Sequence, residues 1–263
     1  MKNLQSKNVL ITGASSGIGE AFVHQFAALG ANTIIVARSE NELRKTASEI
    51  EEKYATKCFP VVLDLSGENA SRILFDKTNS LGIEVDVLVN NAGFGRFGNF
   101  EQNDLKTYDS LLQLNVKVLT ELSWYYLPSM KKNNFGGIIN VASIGALLPV
   151  PYSAVYAGSK SYVLNFSASL YGELLGTNVT VCCLCPGRTK TKFSERAQSP
   201  IKNYDDKPYD TAENAAKIGM EAFLRGKNFA ISGPRKFMIS FLPRILSRSR
   251  IIKITSNEYK SKG

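Results

Sequence analysis

The chain has 263 residues, 44% of them hydrophobic and 21% charged, a composition that suits one sizeable core and leaves little room for two. Lys and Arg number 32 against 23 Asp and Glu, a net charge of +9, while the single histidine, His24, excludes metal centres built on two or three imidazoles and confines any Ser/His chemistry to itself. Three of the four cysteines, Cys182, Cys183 and Cys185, crowd into one apolar stretch without a CxxC pair, which argues against zinc or a disulfide framework and for reduced core thiols.

The first residues run into a strand-like segment without the basic start, apolar run and small-residue cleavage site of a signal peptide. No stretch reaches the roughly 18 uninterrupted apolar residues of a membrane span. The expected location is therefore the cytoplasm.

In chain order, the first Val/Ile run covers 8–12 and leads through Thr12-Gly13-Ala14-Ser15-Ser16-Gly17-Ile18-Gly19 into helical spacing over 17–29. Glycines there let the backbone turn tightly and approach a ligand, and a helix N-terminus offers free N–H groups and positive dipole to a pyrophosphate. The spacing GxxxGxG departs from the common GxGxxG fingerprint, and by itself such a turn is also what sterics alone can require. His24 falls on this helix as a packing or surface residue. A second strand over 33–37 ends in Ala37-Arg38, a small residue and a cation where an acidic residue would select NAD; the pair suits a 2′-phosphate and so NADP. A helix over 39–54 and a strand over 58–63 follow, then Asp64, which suits either an adenine edge or an N-cap, and a helix over 68–81.

A fourth strand over 85–90 runs into Asn91-Ala92-Gly93, and one long helix is expected from 102 to 132. A fifth strand over 137–143 ends in Ser143, and the helix over 153–175 carries Tyr156 and Lys160. Residues at i and i+4 share a helix face, so phenol and ammonium can point into one site, where a cation would stabilise the phenolate and lower its pKa. The remaining elements are a strand over 179–185 followed by Pro186-Gly187, a helix over 211–225 and a strand over 228–232. The strands are nearly continuous apolar runs, as in strands buried on both faces, and their alternation with helices specifies right-handed βαβ crossovers and a parallel sheet with helices on both sides. Ligand sites in such sheets lie beyond the carboxyl ends of the strands.

Taken together, TGASSGIG at 12–19, Asn90-Asn91-Ala92-Gly93, Asn115, Ser143, Tyr156 with Lys160, and Pro186-Gly187 resemble the short-chain dehydrogenase/reductase family over residues 7–233. The resemblance implies a Rossmann-type doubly wound α/β fold of about seven strands in the order 3-2-1-4-5-6-7, spanning 1–233, and hydride transfer between nicotinamide and a carbonyl or alcohol. Tyr156 would be the general acid/base, Ser143 would hold the reacting oxygen, Lys160 would tune Tyr156 and hold the nicotinamide ribose, and Asn115 would position a water relaying protons to Lys160. The cofactor, NADP(H) in preference to NAD(H), would be held by Gly13, Ser15, Ser16, Gly17, Ile18, Gly19, Arg38, Asp64, Leu65, Asn91, Ala92, Gly93, Tyr156, Lys160, Pro186, Gly187 and Thr189, with Thr191 an equal candidate to Thr189. No metal is expected.

The substrate wall is expected from Phe94 and Phe97, from 145–152 including Leu147, and from the loop over 188–208 including Phe193, which suits an apolar or lipid-like carbonyl compound. A 3-oxoacyl thioester reductase, whose carrier-protein partner would favour Arg188, Lys190 and Lys192, and a non-catalytic NADP-sensing module are the alternatives. The family also suggests a homodimer or homotetramer built on the 102–132 and 153–175 helices. Residues 1–223 are formally neutral, so the excess charge sits in the last 40 residues. There Phe237, Met238, Phe241, Leu242, Ile245 and Leu246 recur beside Arg235, Lys236, Arg244, Arg248, Arg250 and Lys253, making 234–263 a basic amphipathic extension that could pack on the domain, on a partner subunit or on an anionic membrane. The charge is thereby assigned to this extension rather than to a nucleic-acid partner.

Overall fold

The computed structural model describes residues 3–199, 209–234, 241–242 and 245–260. Seven strands form one parallel sheet: β1 (Asn8–Thr12), β2 (Asn32–Ala37), β3 (Cys58–Val62), β4 (Val87–Asn90), β5 (Gly136–Val141), β6 (Val179–Cys185) and β7 (Phe229–Ile231). Their spatial order is β3-β2-β1-β4-β5-β6-β7. The chain thus winds outward from β1 in one direction and returns to β4 to wind in the other, as the sequence led us to expect. That reversal opens a crevice at the carboxyl ends of β1 and β4.

Alternate side chains of each strand feed two separate core layers. Val9 and Ile11 of β1 pack with Phe22 and Phe26 of α1 (Gly17–Ala28), Leu43 and Ile50 of α2 (Glu40–Tyr54) and Phe223 of α8 (Ala212–Leu224). Leu10, between them, faces the other side with Leu74 of α3 (Ala70–Ser80) and Leu122, Tyr126 and Met130 of α5 (Leu119–Lys132). Burial of both faces explains why the strands read as continuous apolar runs. The three clustered cysteines lie in β6 and are buried, with all four cysteines free.

The stretch expected as one helix over 102–132 is interrupted. A 3₁₀ turn at Phe100–Gln102 precedes α4 (Leu105–Leu112), and between α4 and α5 the backbone widens into a π-helical segment, Gln113–Val118, that contains Asn115. Side-chain spacing along the stretch stays helical through such a bulge, so periodicity could not locate it; a π-turn is a feature of backbone hydrogen bonding and tertiary fit. The long α6 (Ala154–Glu173) carries Tyr156 and Lys160 in its first turns.

Of the basic C-terminal segment, Arg235, Lys236, Phe237, Met238 and Arg244 lie outside the described residues. A short α7 (Phe193–Arg196) follows β6, and the segment's last helix, α9 (Arg248–Lys260), lies on the main body: Ile251 is buried and Tyr259 packs against Phe97 at 5.4 Å between ring centroids.

Candidate active site

The carboxyl edge of the sheet carries a cavity of about 600 Å³, lined by 13 and 15–18 after β1, 36–39 after β2, 63–66 after β3, 91–94 after β4, 141–145 at the end of β5, and 186–189 and 191–194 after β6. Tyr156 and Lys160 of α6 reach into it, together with Phe97, Val150 and Tyr259. The expected site residues are therefore gathered in one place, with three exceptions. Gly19, Asn115 and Leu147 do not line the cavity.

Gly19 works from beneath: a Cβ at this position would lie 2.2 Å from the Gly13 carbonyl oxygen, so only glycine lets the first turn of α1 pack under the phosphate loop. Asn91 ties that loop to β4, its Nδ2 donating to the carbonyls of Thr12 at 2.9 Å and Gly13 at 3.2 Å. Thr12 Oγ1 in turn accepts from the backbone N–H groups of Asn91 and Ala92, each at 3.0 Å. Ser16, which precedes α1, makes no side-chain cap, so the first N–H groups of the helix are left for a ligand. This tightly turned, uncapped helix start in a deep cavity fits a dinucleotide pyrophosphate.

At the cavity's end beyond β2 and β3, the Arg38 guanidinium stands 3.7 Å from the Asp64 carboxylate, both side chains largely in solvent. Desolvation works against the Asp64 charge, but hydrogen bonds from Ser66 and the neighbouring Arg38 outweigh it and lower the Asp64 pKa. The cation expected from the sequence is thus present and oriented, with a carboxylate beside it.

Asn115 is fully buried beside the catalytic face rather than on it. Its Oδ1 accepts from the Phe94 N–H at 3.1 Å, and its Nδ2 donates to the Phe94 carbonyl at 3.0 Å and to Ser159 Oγ at 3.1 Å. It clamps the loop after β4 against α6. A Cβ on Gly93 would come within 2.8 Å of Asn115 Oδ1 and 3.4 Å of Lys160 Nζ, so these groups crowd one spot.

The Ser143 hydroxyl accepts from the Gly145 N–H at 3.1 Å and lines the cavity with Tyr156. Lys160 Nζ donates to the Val141 carbonyl at 2.8 Å and sits 5.9 Å from the Tyr156 ring centroid. Burial pushes the Tyr156 pKa up to about 12, opposed by the neighbouring Ser143 hydroxyl, and pushes Lys160 down to about 8. Desolvation dominates at Tyr156, and the Lys160 ammonium is turned to the main chain of β5.

Thr189 and Thr191 separate by position. Thr189 is nearly buried and its hydroxyl donates to the Gly187 carbonyl at 3.1 Å, whereas Thr191 accepts from the Phe193 N–H at 3.2 Å and touches the glycine loop. On the substrate side, Phe94, Phe97, Val150 and Phe193 line the cavity as expected, with Phe193 5.5 Å from Tyr156 between centroids. Leu147, Leu148 and Pro149 do not, because the 3₁₀ turn at Ile144–Ala146 carries the chain past the rim before Val150 returns to it. His24 packs edge-on against Tyr54, away from the cavity. Sequence reasoning missed Tyr259, a tyrosine in a basic tail with no motif around it; only packing brings it to the site.

A doubly wound α/β protein with one deep cavity at the topological switch point is what the fold and these residues define. The sequence pattern described as short chain dehydrogenase matches residues 7–202, and the chain belongs to that family. A short chain dehydrogenase of Pseudocercospora fijiensis is 35% identical over 192 residues, which cover 72% of this chain and 62% of that protein, so the chain spans less than two thirds of that relative's length. Among solved structures, a 7β-hydroxysteroid dehydrogenase superposes with a TM-score of 0.86 at 25% identity, covering 97% of this chain and all of that one. The L-sorbose reductase of Gluconobacter frateurii, complexed with NADPH and L-sorbose, superposes with a TM-score of 0.74 at 25% identity over 88% of this chain and 96% of its own. Among the described residues no group of His, Cys, Asp and Glu could hold a metal, and no helix is long and apolar enough to cross a membrane.

Proposed function

We propose that the chain is an NADP(H)-dependent oxidoreductase that interconverts a ketone or aldehyde and its alcohol, with a substrate that is largely apolar. The observation that carries this reading is the convergence of Ser143, Tyr156 and, one helical turn on, Lys160 on the same cavity as the uncapped start of α1. Bound NADPH would supply the hydride. The chain's own residues do the rest. Tyr156, held protonated by burial, is the proton donor to the carbonyl oxygen in reduction and recovers that proton from the alcohol in oxidation. Ser143 holds the oxygen and stabilises its developing charge. Lys160 is the buried cation beside Tyr156 and would hold the ribose hydroxyls of the nicotinamide nucleotide. Asn115 is a positioning residue: its side chain is committed to Phe94 and Ser159, so the π-turn's main chain is the partner for a relay water.

Preference for NADP rests on Arg38 after β2, where a 2′-phosphate would compete with Asp64 for the guanidinium; solved neighbours include complexes with NADPH and one with NAD, so the residue carries the reading. Exposed Leu105, Leu112, Trp124 and Tyr162 on α4, α5 and α6 support a homo-oligomer through these helices, to be read by sedimentation. Burial of Ile251 and packing of Tyr259 support docking of the C-terminal helix on the domain over membrane contact.

Following NADPH and NADH absorbance against a panel of ketones, aldehydes and acyl thioesters tests the function. Turnover of simple carbonyls with NADPH supports it; tight cofactor binding with silence across the panel identifies a sensor, and turnover of thioesters alone a 3-oxoacyl reductase.

A further inference from the structure

Arg188 and the C-terminal helix meet at the wall of the cavity. Arg188 follows Pro186-Gly187 and lines the cavity with Tyr259; Glu258, one residue before that tyrosine, does not line it. Arg188 Nη2 donates to Glu258 Oε1 at 2.6 Å, with both side chains mostly buried. That contact fixes the guanidinium plane from the outer side. The other terminal nitrogen, Nη1, is buried and has no hydrogen-bond partner among the described residues. A guanidinium N–H left without an acceptor in a buried place is costly, so its persistence calls for a ligand.

The surroundings say what kind. The Tyr259 hydroxyl lies against the Arg188 guanidinium, and the same tyrosine is close enough to Tyr156 for their charges to interact. The cluster therefore lies near Tyr156 on the wall of the cavity. Lys192 and Arg196 also line the cavity, while the one carboxylate among its described lining residues is Asp64, beside Arg38. Asp210, whose backbone pairs with that of Arg188, does not line the cavity and accepts from Thr211 N–H and Asn214 through Oδ1, while its Oδ2 is buried without a hydrogen-bond partner among the described residues.

We infer that Arg188, set in place by Glu258 and flanked by Tyr259, is a specificity-determining anchor for an oxyanion on the substrate, so that the carbonyl compound reduced at Tyr156 carries a carboxylate or sulfonate at its far end. The inference deepens the proposed function and rests on its placement of the substrate. Between the two ends, Phe97, Phe193 and Val150 accept an apolar body. Guanidinium recognition of a carboxylate uses two N–H groups in a fork, and Lys cannot reproduce it.

The test uses the full chain and oxo carboxylates of four to eight carbons, each matched with its methyl ester, in the presence of NADPH. The wild type is expected to show kcat/KM for the acid at least about tenfold above the ester, and Arg188→Gln to erase most of that ratio by raising KM for the acid. Arg188→Lys should rescue little of it. Calorimetric binding of the corresponding saturated carboxylate, which cannot be reduced, should weaken by about tenfold in Arg188→Gln while NADPH affinity holds. Glu258→Gln, which keeps a hydrogen-bonding partner for Nη2, guards against misfolding: it should retain the acid preference. Equal use of acids and esters by the wild type, or carboxylate binding indifferent to Arg188, overturns the anchor while leaving the oxidoreductase reading intact. A loss of NADPH affinity in Arg188→Gln matching the loss of carboxylate affinity reassigns the guanidinium to the cofactor and overturns it as well. Carboxylate binding that depends on Arg188 without turnover of any carbonyl keeps the anchor and overturns the reaction.

Discussion

Lys160 Nζ donates to the main-chain carbonyl of Val141 at 2.8 Å, which joins α6 to the end of β5 close to Ser143 and Tyr156. A buried ammonium with one neutral acceptor is held at a cost. Burial lowers the Lys160 pKa from 10.5 to about 8. Below pH 8 folded and unfolded chains are both protonated, and folding carries the full cost of the charge. Between about 8 and 10.5 the unfolded chain keeps a proton that the folded one has released, so stability rises with pH in that window. Compared with Lys160→Met by urea unfolding, the wild type should gain on the order of 2 kcal/mol in going from about pH 7 to about pH 9.5. A stability difference that stays flat across this range would show that the ammonium is better solvated than its position indicates.

Tyr156 titrates far above this range, its burial holding the phenol protonated to about pH 12. In the reduction direction the acid is then always loaded, and the group that limits the rate at high pH is Lys160. The pH profile of kcat/KM for reduction should be level through neutrality and decline above about 8. A decline already complete at pH 7 contradicts the assignment.

Replacing Tyr156 with Phe keeps the ring against Phe193 and removes only the proton donor. Turnover should fall by at least about 100-fold, with NADPH affinity changed little in a fluorescence titration. Retention of a few percent of wild-type reductase activity would falsify Tyr156 as the acid.

Arg38 faces solvent beside Asp64, so its value lies in what it offers a 2′-phosphate rather than in stability. Arg38→Ala should weaken NADPH by about 1 to 3 kcal/mol and NADH by much less. Asp64→Asn, which removes the competing carboxylate, should shift the ratio toward NADPH. Equal losses for both cofactors in Arg38→Ala remove the residue from the NADP assignment.

Gly19→Ala brings a methyl group against the Gly13 carbonyl, a backbone atom with no rotamer to escape through. The loop must move or the helix start must shift. Either change should reduce cofactor affinity at least about tenfold, and chemical unfolding should show destabilisation of about 1 to 3 kcal/mol. Wild-type affinity for NADPH in this variant argues that the loop is not the phosphate cradle.

Much of this was legible in the chain because it is local. The apolar runs buried on both faces are continuous in sequence, so the strands and their parallel arrangement could be read from composition and spacing. Tyr156 and Lys160 share a helix face by periodicity alone, and Ser143, expected to end the fifth strand, follows β5 by two residues at the start of a 3₁₀ turn. What periodicity could not show was the π-turn around Asn115, which preserves side-chain spacing while changing which main-chain groups are paired. Nor could it show that Leu147 passes outside the rim, since the 3₁₀ turn before it changes direction without changing hydropathy.

The basic tail marks the boundary between the two kinds of information. Its charge and amphipathic pattern were set by the sequence, which left the domain, a second subunit and a membrane as candidate docking surfaces. The tertiary structure places α9 on the domain, with Glu258 on Arg188 and Tyr259 beside the cavity, a contact between residues 70 apart in the chain. Sequence alone determines what each segment prefers, because propensity and periodicity act over a few residues. Which groups meet across such a separation depends on how the strands and helices between them pack, and the pairing of Arg188 with Glu258 was decided there.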